Sequence, residues 1–121
     1  MSPPETLQAS WTPSQAEFDL FAQVSGDDNP IHVDPAFSAR TRFGRTVSHG
    51  MLIYSKLWAL LRSDHPGARQ VRQSMMFPNP CFAGEAVVLE VRSLGEGRFG
   101  VQARRAADGA ELLVGETEVA V

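Results

Sequence analysis

The sequence predicts an α+β domain in which an antiparallel sheet wraps around one long helix. Residues 51–61 place apolar side chains over most of a helical surface, which is typical of a helix buried on several sides. From about residue 68 onward, apolar and polar residues alternate between turn signals, as in antiparallel strands. The chain has 121 residues, enough for one hydrophobic core but not for two. We therefore expect residues 1–121 to form a single domain.

A first helix is predicted over residues 12–26. Thr12 is a suitable N-cap, Pro13 suits the first helical position, and Gln15 stands where a capping box places Glu or Gln. An apolar stripe at three-residue spacing follows, made of Phe18, Phe21 and Val24. Gly26 then predicts the end of the helix.

The segment after this helix predicts an ordered loop over residues 27–33. The proline that follows Asn29 excludes that residue from the helical region, and the Asp and Asn residues favour turns. Asp34 and Pro35 repeat the order of a cap followed by proline, which predicts a brief helix extending to about Phe43.

The second half of the chain predicts a meander of strands. Alternation is clear over residues 87–92, and glycines at 95 and 97 flank a turn. A second alternating run covers 101–104, the Asp-Gly pair at 108–109 is a hairpin signal, and a third run covers 113–121. With the region near residue 68, these runs predict at least four strands.

The net charge argues against nucleic acid as a partner, and the first basic residues form one local cluster. The formal net charge is -3, so duplex nucleic acid would meet no general attraction, and no nucleic-acid partner is expected. The first basic residues of the chain come close together, at Arg40, Arg42 and Arg45. They are candidates for binding substrate phosphates; a solvated surface face is the alternative.

The cysteine content and the termini indicate a cytoplasmic protein. Cys81 is the only cysteine, so no internal disulfide can form and a reducing compartment is expected. The start of the chain lacks a basic and apolar leader, and no apolar run has membrane-spanning length, so no membrane partner is expected. A metal site built from His32, Asp34 and His49 has no supporting spacing, and we expect neither a metal nor a cofactor.

Asp27 and His32 are the candidate catalytic residues. A carboxylate and an imidazole five residues apart in a turn-rich loop could converge on one water, with the carboxylate taking a proton that the imidazole shares or returns. Taken alone, Asp27 could instead support an Asx-turn, and His32 could be a hydrogen-bonded core histidine.

Gly50 is the third candidate, because it stands at the start of the predicted central helix. The first amides of a helix lack intrahelical partners and carry the positive end of the helix dipole, so a carbonyl oxygen could bind there. Glycine has no side chain that would hold that oxygen away. The alternative is that Gly50 only lets the chain turn into the helix.

The catalytic candidates lie in a longer motif, Val24-Ser25-Gly26-Asp27-Asp28-Asn29-Pro30-Ile31-His32, with His49-Gly50 downstream before the apolar helix. This motif resembles that of the MaoC-like, or hydratase 2, family of (R)-specific enoyl-CoA hydratases. The resemblance implies a hot dog fold, a homodimer, water held by Asp27 and His32, and a thioester carbonyl bound by the Gly50 amide. It also implies substrate-binding positions at Asn29, Ser48, His49 and Met51.

The resemblance implies a hydro-lyase that reversibly adds water to trans-2-enoyl thioesters in fatty acid metabolism and forms (R)-3-hydroxyacyl products. The substrate would carry CoA or an acyl carrier protein. Residues 76–80 and 84–85 resemble the family more weakly and could line the acyl tunnel. Two alternatives on the same fold stay open: a non-catalytic acyl-thioester-binding partner subunit, and a thioesterase.

Overall fold

A computed structural model of the chain describes residues 5–120. In chain order the elements are β1 (Thr6–Trp11), α1 (Gln15–Ser25), α2 (Pro30–Val33), α3 (Pro35–Ser38), α4 (Gly50–Asp64), β2 (Arg69–Met76), β3 (Val87–Gly95), β4 (Arg98–Arg105) and β5 (Glu111–Ala120). The strands form one antiparallel sheet in the order β1-β3-β4-β5-β2. The α+β architecture is confirmed. Val121, which the predicted last strand included, lies outside the described residues.

The long helix α4 packs against β1, β3, β4 and β5, and this contact forms the core. Leu57 and Leu61 of the helix are almost completely buried against inward-facing strand residues such as Val91 and Leu113. Burying one leucine side chain contributes roughly 1.5–3 kcal/mol. The apolar helix therefore anchors the sheet, although Met51 in its first turn is half exposed. Among the described residues, no helix is both long and apolar enough to cross a membrane.

Strand β1 was not predicted. Its residues alternate between exposed and half-buried, and it pairs with β3 over the whole of Thr6–Trp11. The half-buried positions are Leu7, Ala9 and Trp11, a period-two signal that the sequence contains. The run is short and mostly polar on its outer face, so its strand character depends on pairing with a segment about 80 residues away.

The starts and ends of the early helices differ from the prediction. The N-cap of α1 is Ser14, whose side chain accepts from the Glu17 amide while Glu17 accepts from the Ser14 amide. Thr12 therefore does not cap this helix, and Gln15 is not part of the capping box. Pro13 lies before the helix, where its carbonyl accepts from the Gly84 amide.

The predicted loop over 27–33 contains the short helix α2, which starts at Pro30 behind an Asn29 cap. Asp34 caps α3 as predicted, accepting from the Phe37 amide at 3.0 Å. That helix ends at Ser38 and does not reach Phe43. Short helices of this kind gain little from backbone bonding alone, so tertiary contacts set their length.

Candidate active site

Asp27 is placed by the end of α1. Gly26 adopts a left-handed conformation with φ of 82°, which glycine tolerates without strain, and its amide donates to the Ala22 carbonyl at 2.9 Å. Ser25 Oγ then accepts from the Asp27 amide at 3.1 Å. The chain therefore turns sharply at Gly26 and presents the Asp27 carboxylate, 56% exposed, at the mouth of a cleft.

His32 faces Asp27 from α2. Asn29 starts that helix by accepting from the Ile31 amide at 3.1 Å. Its side chain is thus used to cap α2, and it does not line the cleft, although we predicted that it binds substrate. His32 Nδ1 lies 2.7 Å from the Val47 carbonyl, and because a carbonyl only accepts, Nδ1 carries the proton of this bond. Nε2 of the neutral ring therefore presents its lone pair towards Asp27, with Oδ2 at 3.9 Å.

The 3.9 Å gap between these atoms is too long for a direct hydrogen bond, but both atoms can reach one bridging water. The carboxylate can accept a proton from such a water, and the imidazole can accept or return one. The structure thus brings the two predicted catalytic side chains together.

Backbone bonds hold the α2 segment against the start of α4. The Val47 amide donates to the Ile31 carbonyl at 3.0 Å, and the buried Ser48 donates its amide to the Cys81 carbonyl at 2.8 Å. The Ser48 hydroxyl donates to the His49 carbonyl at 3.0 Å. Ser48 therefore fixes the segment that leads into α4 and also lines the cleft.

Gln15 is a supporting residue that the sequence interpretation missed. Its amide nitrogen donates to the His32 carbonyl at 2.9 Å, and its amide oxygen accepts from the hydroxyl of Thr46, which is buried. One side chain on α1 thus holds both the segment that carries His32 and the segment that leads into α4. No local sequence signal distinguishes this role, because both partners are distant in the chain.

The N-terminus of α4 opens on the cleft without a side-chain cap. His49 occupies the N-cap position, but its side chain makes no capping bond to the helix. Gly50 and Met51 follow as the first helical residues and line the cleft. The first amides of a helix are free of intrahelical partners, so this end can receive an acceptor oxygen.

Phe77 packs directly over Gly50. A Cβ atom added at Gly50 would lie 2.6 Å from Phe77 Cζ, so only glycine fits here with the ring in place. This contact is a second reason for glycine at position 50, one that the sequence did not show.

His49 is buried, with 2% of its surface exposed, and it contacts both catalytic candidates. Its Nε2 lies 2.8 Å from the backbone carbonyl of Asp27, and its ring stacks on His32 with centroids 3.9 Å apart. Phe21 packs against the same ring at a centroid distance of 4.8 Å. Burial lowers the pKa of His49. We predicted that His49 binds substrate. Its Nε2 atom instead bonds to the protein itself, although the residue also borders the cleft.

The cleft has a volume of about 470 Å³ and mainly apolar walls. Its apolar lining includes Met51, Ile53, Phe77, Pro80, Cys81 and Leu112. Residues 77–81 thus form one wall. Of the segments expected to line an acyl tunnel, 77–80 border this cleft, and 84–85 do not. Burial raises the pKa of the Cys81 thiol to about 12, so this thiol behaves as an apolar wall residue.

The three arginines occupy different positions. Arg42 lines the cleft and lies over the Phe43 ring at 4.9 Å. Arg45 pairs with Glu85 at 3.1 Å and covers the Phe82 ring at 4.0 Å, so its charge is used within the protein. Arg40 is exposed and does not line this cleft. Of the predicted phosphate contacts, the structure brings Arg42 to the cleft.

Asp27, His32 and His49 also offer ligand atoms within 4.8 Å of one another, so this cluster could hold a metal ion. One nitrogen of each ring already faces a backbone carbonyl: Nδ1 of His32 faces that of Val47, and Nε2 of His49 faces that of Asp27. The cluster includes His32 and His49 of the set considered from sequence, with Asp27 in place of Asp34. That the protein uses no metal stays a prediction.

The fold and site define a hot dog domain with a carboxylate–imidazole pair beside the open end of its central helix. The chain belongs to the MaoC like domain family, whose match covers residues 2–112. Both the predicted family and the predicted fold are confirmed by these comparisons.

Curated relatives of the chain are hydratases and dehydratases. It is 45% identical over 78 residues to an (R)-specific enoyl-CoA hydratase of Aeromonas caviae, covering 63% of this chain and 58% of that protein. It is 32% identical over 81 residues to a mitochondrial 3-hydroxyacyl-[acyl-carrier-protein] dehydratase of Arabidopsis thaliana, covering 67% of this chain and 49% of that protein. The matched stretches therefore span only about half to three-fifths of these relatives.

Solved structures match over nearly the whole chain. The (R)-hydratase from A. caviae involved in PHA biosynthesis has a TM-score of 0.89 and 33% identity, covering 100% of this chain and 97% of that one. An R-hydratase from Pseudomonas aeruginosa has a TM-score of 0.90 and 27% identity, covering 98% of this chain and 81% of that one.

Proposed function

We propose that this protein is a hydro-lyase that reversibly adds water to trans-2-enoyl thioesters and forms (R)-3-hydroxyacyl thioesters. The observation that carries the proposal is the 3.9 Å separation of Asp27 Oδ2 and His32 Nε2 beside the uncapped start of α4. This arrangement supplies a site for one water and a donor for one carbonyl oxygen at the mouth of an apolar cleft. The names of the relatives support the same reaction class.

In the proposed reaction, the water bridges Asp27 and His32 and faces Cβ of the enoyl group. Asp27 accepts a proton from this water as the water oxygen bonds to Cβ, which leaves an enolate. The proton then passes from Asp27 to Nε2 of neutral His32, and the imidazolium delivers it to Cα on the same face. Asp27 and His32 end in their starting protonation states, so the net change is addition of one water. Dehydration follows the reverse path.

The Gly50 amide would bind the thioester carbonyl, because negative charge develops on that oxygen when Cβ is attacked. Helix α4 contributes the positive end of its dipole at this point. The apolar walls would hold the acyl chain, and no resident cofactor is required, since the carrier thiol enters as part of the substrate. Both CoA and an acyl carrier protein fit this description.

We also propose that the protein is a homodimer in the cytoplasm. Strand β2 is at an edge of the sheet, and apolar side chains on it and just after it are exposed: Val71, Met76 and Phe77. A symmetric partner could pair with this edge and cover these side chains. Size-exclusion chromatography with light scattering at micromolar concentration tests the assembly, and a monomer would contradict it.

The activity is tested with purified protein and trans-2-enoyl esters of CoA and of an acyl carrier protein, each with a short and a medium acyl chain. Loss of the conjugated enoyl absorbance, together with chiral analysis of the 3-hydroxyacyl product, supports the proposal if the product is the (R) isomer. A thiol reagent in a parallel sample detects free CoA, which would indicate a thioesterase. Stable absorbance on both CoA and carrier-protein esters would contradict hydration and favour a non-catalytic subunit.

A further inference from the structure

His49 contacts both members of the proposed catalytic pair, through two different parts of its side chain. Its Nε2 atom faces the backbone carbonyl of Asp27 at 2.8 Å. The face of its ring stacks on His32 with an interplanar angle of 23° and a centroid distance of 3.9 Å. The first contact fixes the residue that carries the carboxylate, and the second fixes the plane of the imidazole.

The hydrogen bonds determine the protonation state of this ring. A carbonyl only accepts, so Nε2 of His49 carries the proton. Nδ1 is buried and has no hydrogen-bond partner among the described residues. A second proton on Nδ1 would create a buried cation with an unmatched donor, directly against the ring of His32. The neutral form with its proton on Nε2 is therefore the one that fits.

We propose that His49 is a positioning residue that holds Asp27 and His32 in register around their shared water. The proposal rests on the proposed hydratase function for its kinetic consequences. His49 acts through the other two residues: its Nε2 is committed to Asp27, and its ring face is covered by His32. It stays neutral throughout the cycle, so His32 can take a proton without meeting a second charge in the stack.

Two substitutions separate the two contacts. His49→Gln places an amide nitrogen where Nε2 was and keeps a donor for the Asp27 carbonyl, but it removes the stacked ring. His49→Phe keeps a ring against His32 and leaves the carbonyl without its donor. Small displacements of catalytic groups cost up to about a hundredfold in rate. We expect each variant to lower kcat about tenfold to a hundredfold, with KM changed by no more than about threefold, and His49→Ala to be slower than either.

His65→Gln is the matched control. His65 follows α4 at its other end and contacts Glu5 at 3.3 Å, away from the cleft. This variant should keep wild-type kcat. Circular dichroism and thermal unfolding select the variants that are folded at the assay temperature. Unchanged kcat in folded His49→Gln and His49→Phe would overturn the proposal, and so would a rise in KM with kcat intact, since that pattern belongs to a substrate contact.

A measurement without substrate separates this proposal from the proposed reaction. Nitrogen NMR of the wild-type imidazoles reports the tautomer and charge of each ring. We expect His49 to be neutral with its proton on Nε2, and His32 to carry its proton on Nδ1, at pH 7.5. A charged His49, or one with its proton on Nδ1, would overturn the positioning role even in an active hydratase. The expected tautomers in a protein without hydratase activity would refute the reaction and leave the arrangement intact.

Discussion

Oδ2 of Asp27 and Nε2 of His32 lie 3.9 Å apart, and each is held by contacts of its own. The Asp27 amide bonds to Ser25 Oγ, and His32 Nδ1 bonds to the carbonyl of Val47. The separation is therefore set by two different pieces of backbone and not by a direct ion pair. A gap of this width suits a bound water.

Asp27→Asn should abolish most of the proposed hydratase activity while leaving the protein folded. The amide cannot accept the proton that the water must lose, so we expect kcat to fall about a hundredfold to ten-thousandfold. The carboxylate is more than half exposed, so unfolding temperature should change little. Initial rates of enoyl absorbance loss and a thermal melt check both parts. Wild-type turnover in Asp27→Asn would exclude the assigned role.

Gly50→Ala tests the contact between Gly50 and Phe77. The added methyl would lie 2.6 Å from Cζ at the tip of the Phe77 ring, which is 45% exposed and can rotate into solvent. We expect the free energy of unfolding to change by less than about 1 kcal/mol. The displaced ring alters the cleft wall beside the amide, so kcat/KM should fall about tenfold or more.

The double variant Gly50→Ala with Phe77→Ala gives the new methyl group room. Adding Gly50→Ala to the Phe77→Ala variant should therefore lower kcat/KM by a smaller factor than adding Gly50→Ala to wild type. Coupling of this kind is expected for residues in contact. An equal loss with or without Phe77 would place the damage at the Gly50 amide itself.

Local signals predicted the parts of the site that depend on local structure. Gly26 ends α1 in a left-handed conformation and Asn29 caps α2, and both are positions where glycine or an Asx residue has a backbone role. Gly50 begins α4 at the start of the apolar run. The neighbouring Asp27 and His32 were therefore found from the motif, and the apolar run of α4 predicted the core helix.

Long-range contacts account for what the sequence could not predict. Glu85 pairs with Arg45 across 40 positions, so an apparent phosphate contact is occupied within the protein. Gln15 reaches His32 and Thr46, and no periodicity reports that. Strand β1 depends in the same way on a distant partner, β3.

Arg42 and Arg45 should respond differently to replacement by alanine. Arg42 lines the cleft, and we expect Arg42→Ala to raise KM for a CoA thioester about threefold to tenfold with kcat nearly unchanged. Arg45→Ala should leave KM alone and lower the free energy of unfolding by about 1 kcal/mol or less, because its ion pair is partly exposed. Steady-state kinetics and urea titrations distinguish them. Equal KM values for wild type and Arg42→Ala would mean that Arg42 does not bind the CoA part of the substrate.

Cys81 should resist alkylation in the folded protein. Burial raises the pKa of its thiol from 9.0 to about 12, so at pH 8 it carries roughly a thousandfold less reactive thiolate. The buried position also limits access of the reagent. Mass spectrometry after iodoacetamide treatment should show unmodified native protein and full labelling in urea. Rapid labelling of native protein would mean that the cleft wall opens.

The pH dependence of stability should report the neutral state of His49. Burial lowers the pKa of the folded residue, with the neighbouring His32 acting in the same direction and Asp27 opposing it, whereas the unfolded histidine titrates near 6.5. The unfolded chain then binds more protons than the folded one, so this contribution to stability is complete above pH 6.5 and is lost as pH falls below it.

His49→Phe cannot take up this proton. Urea unfolding at pH 7.5 and at pH 5.0 should therefore show that wild type loses more stability than His49→Phe between the two values. Groups that do not contact residue 49 cancel in this difference, and His65→Gln should follow the wild-type profile because His49 remains. Parallel losses in wild type and His49→Phe would mean that His49 takes up its proton equally in the folded and unfolded chains, contrary to the neutral stack.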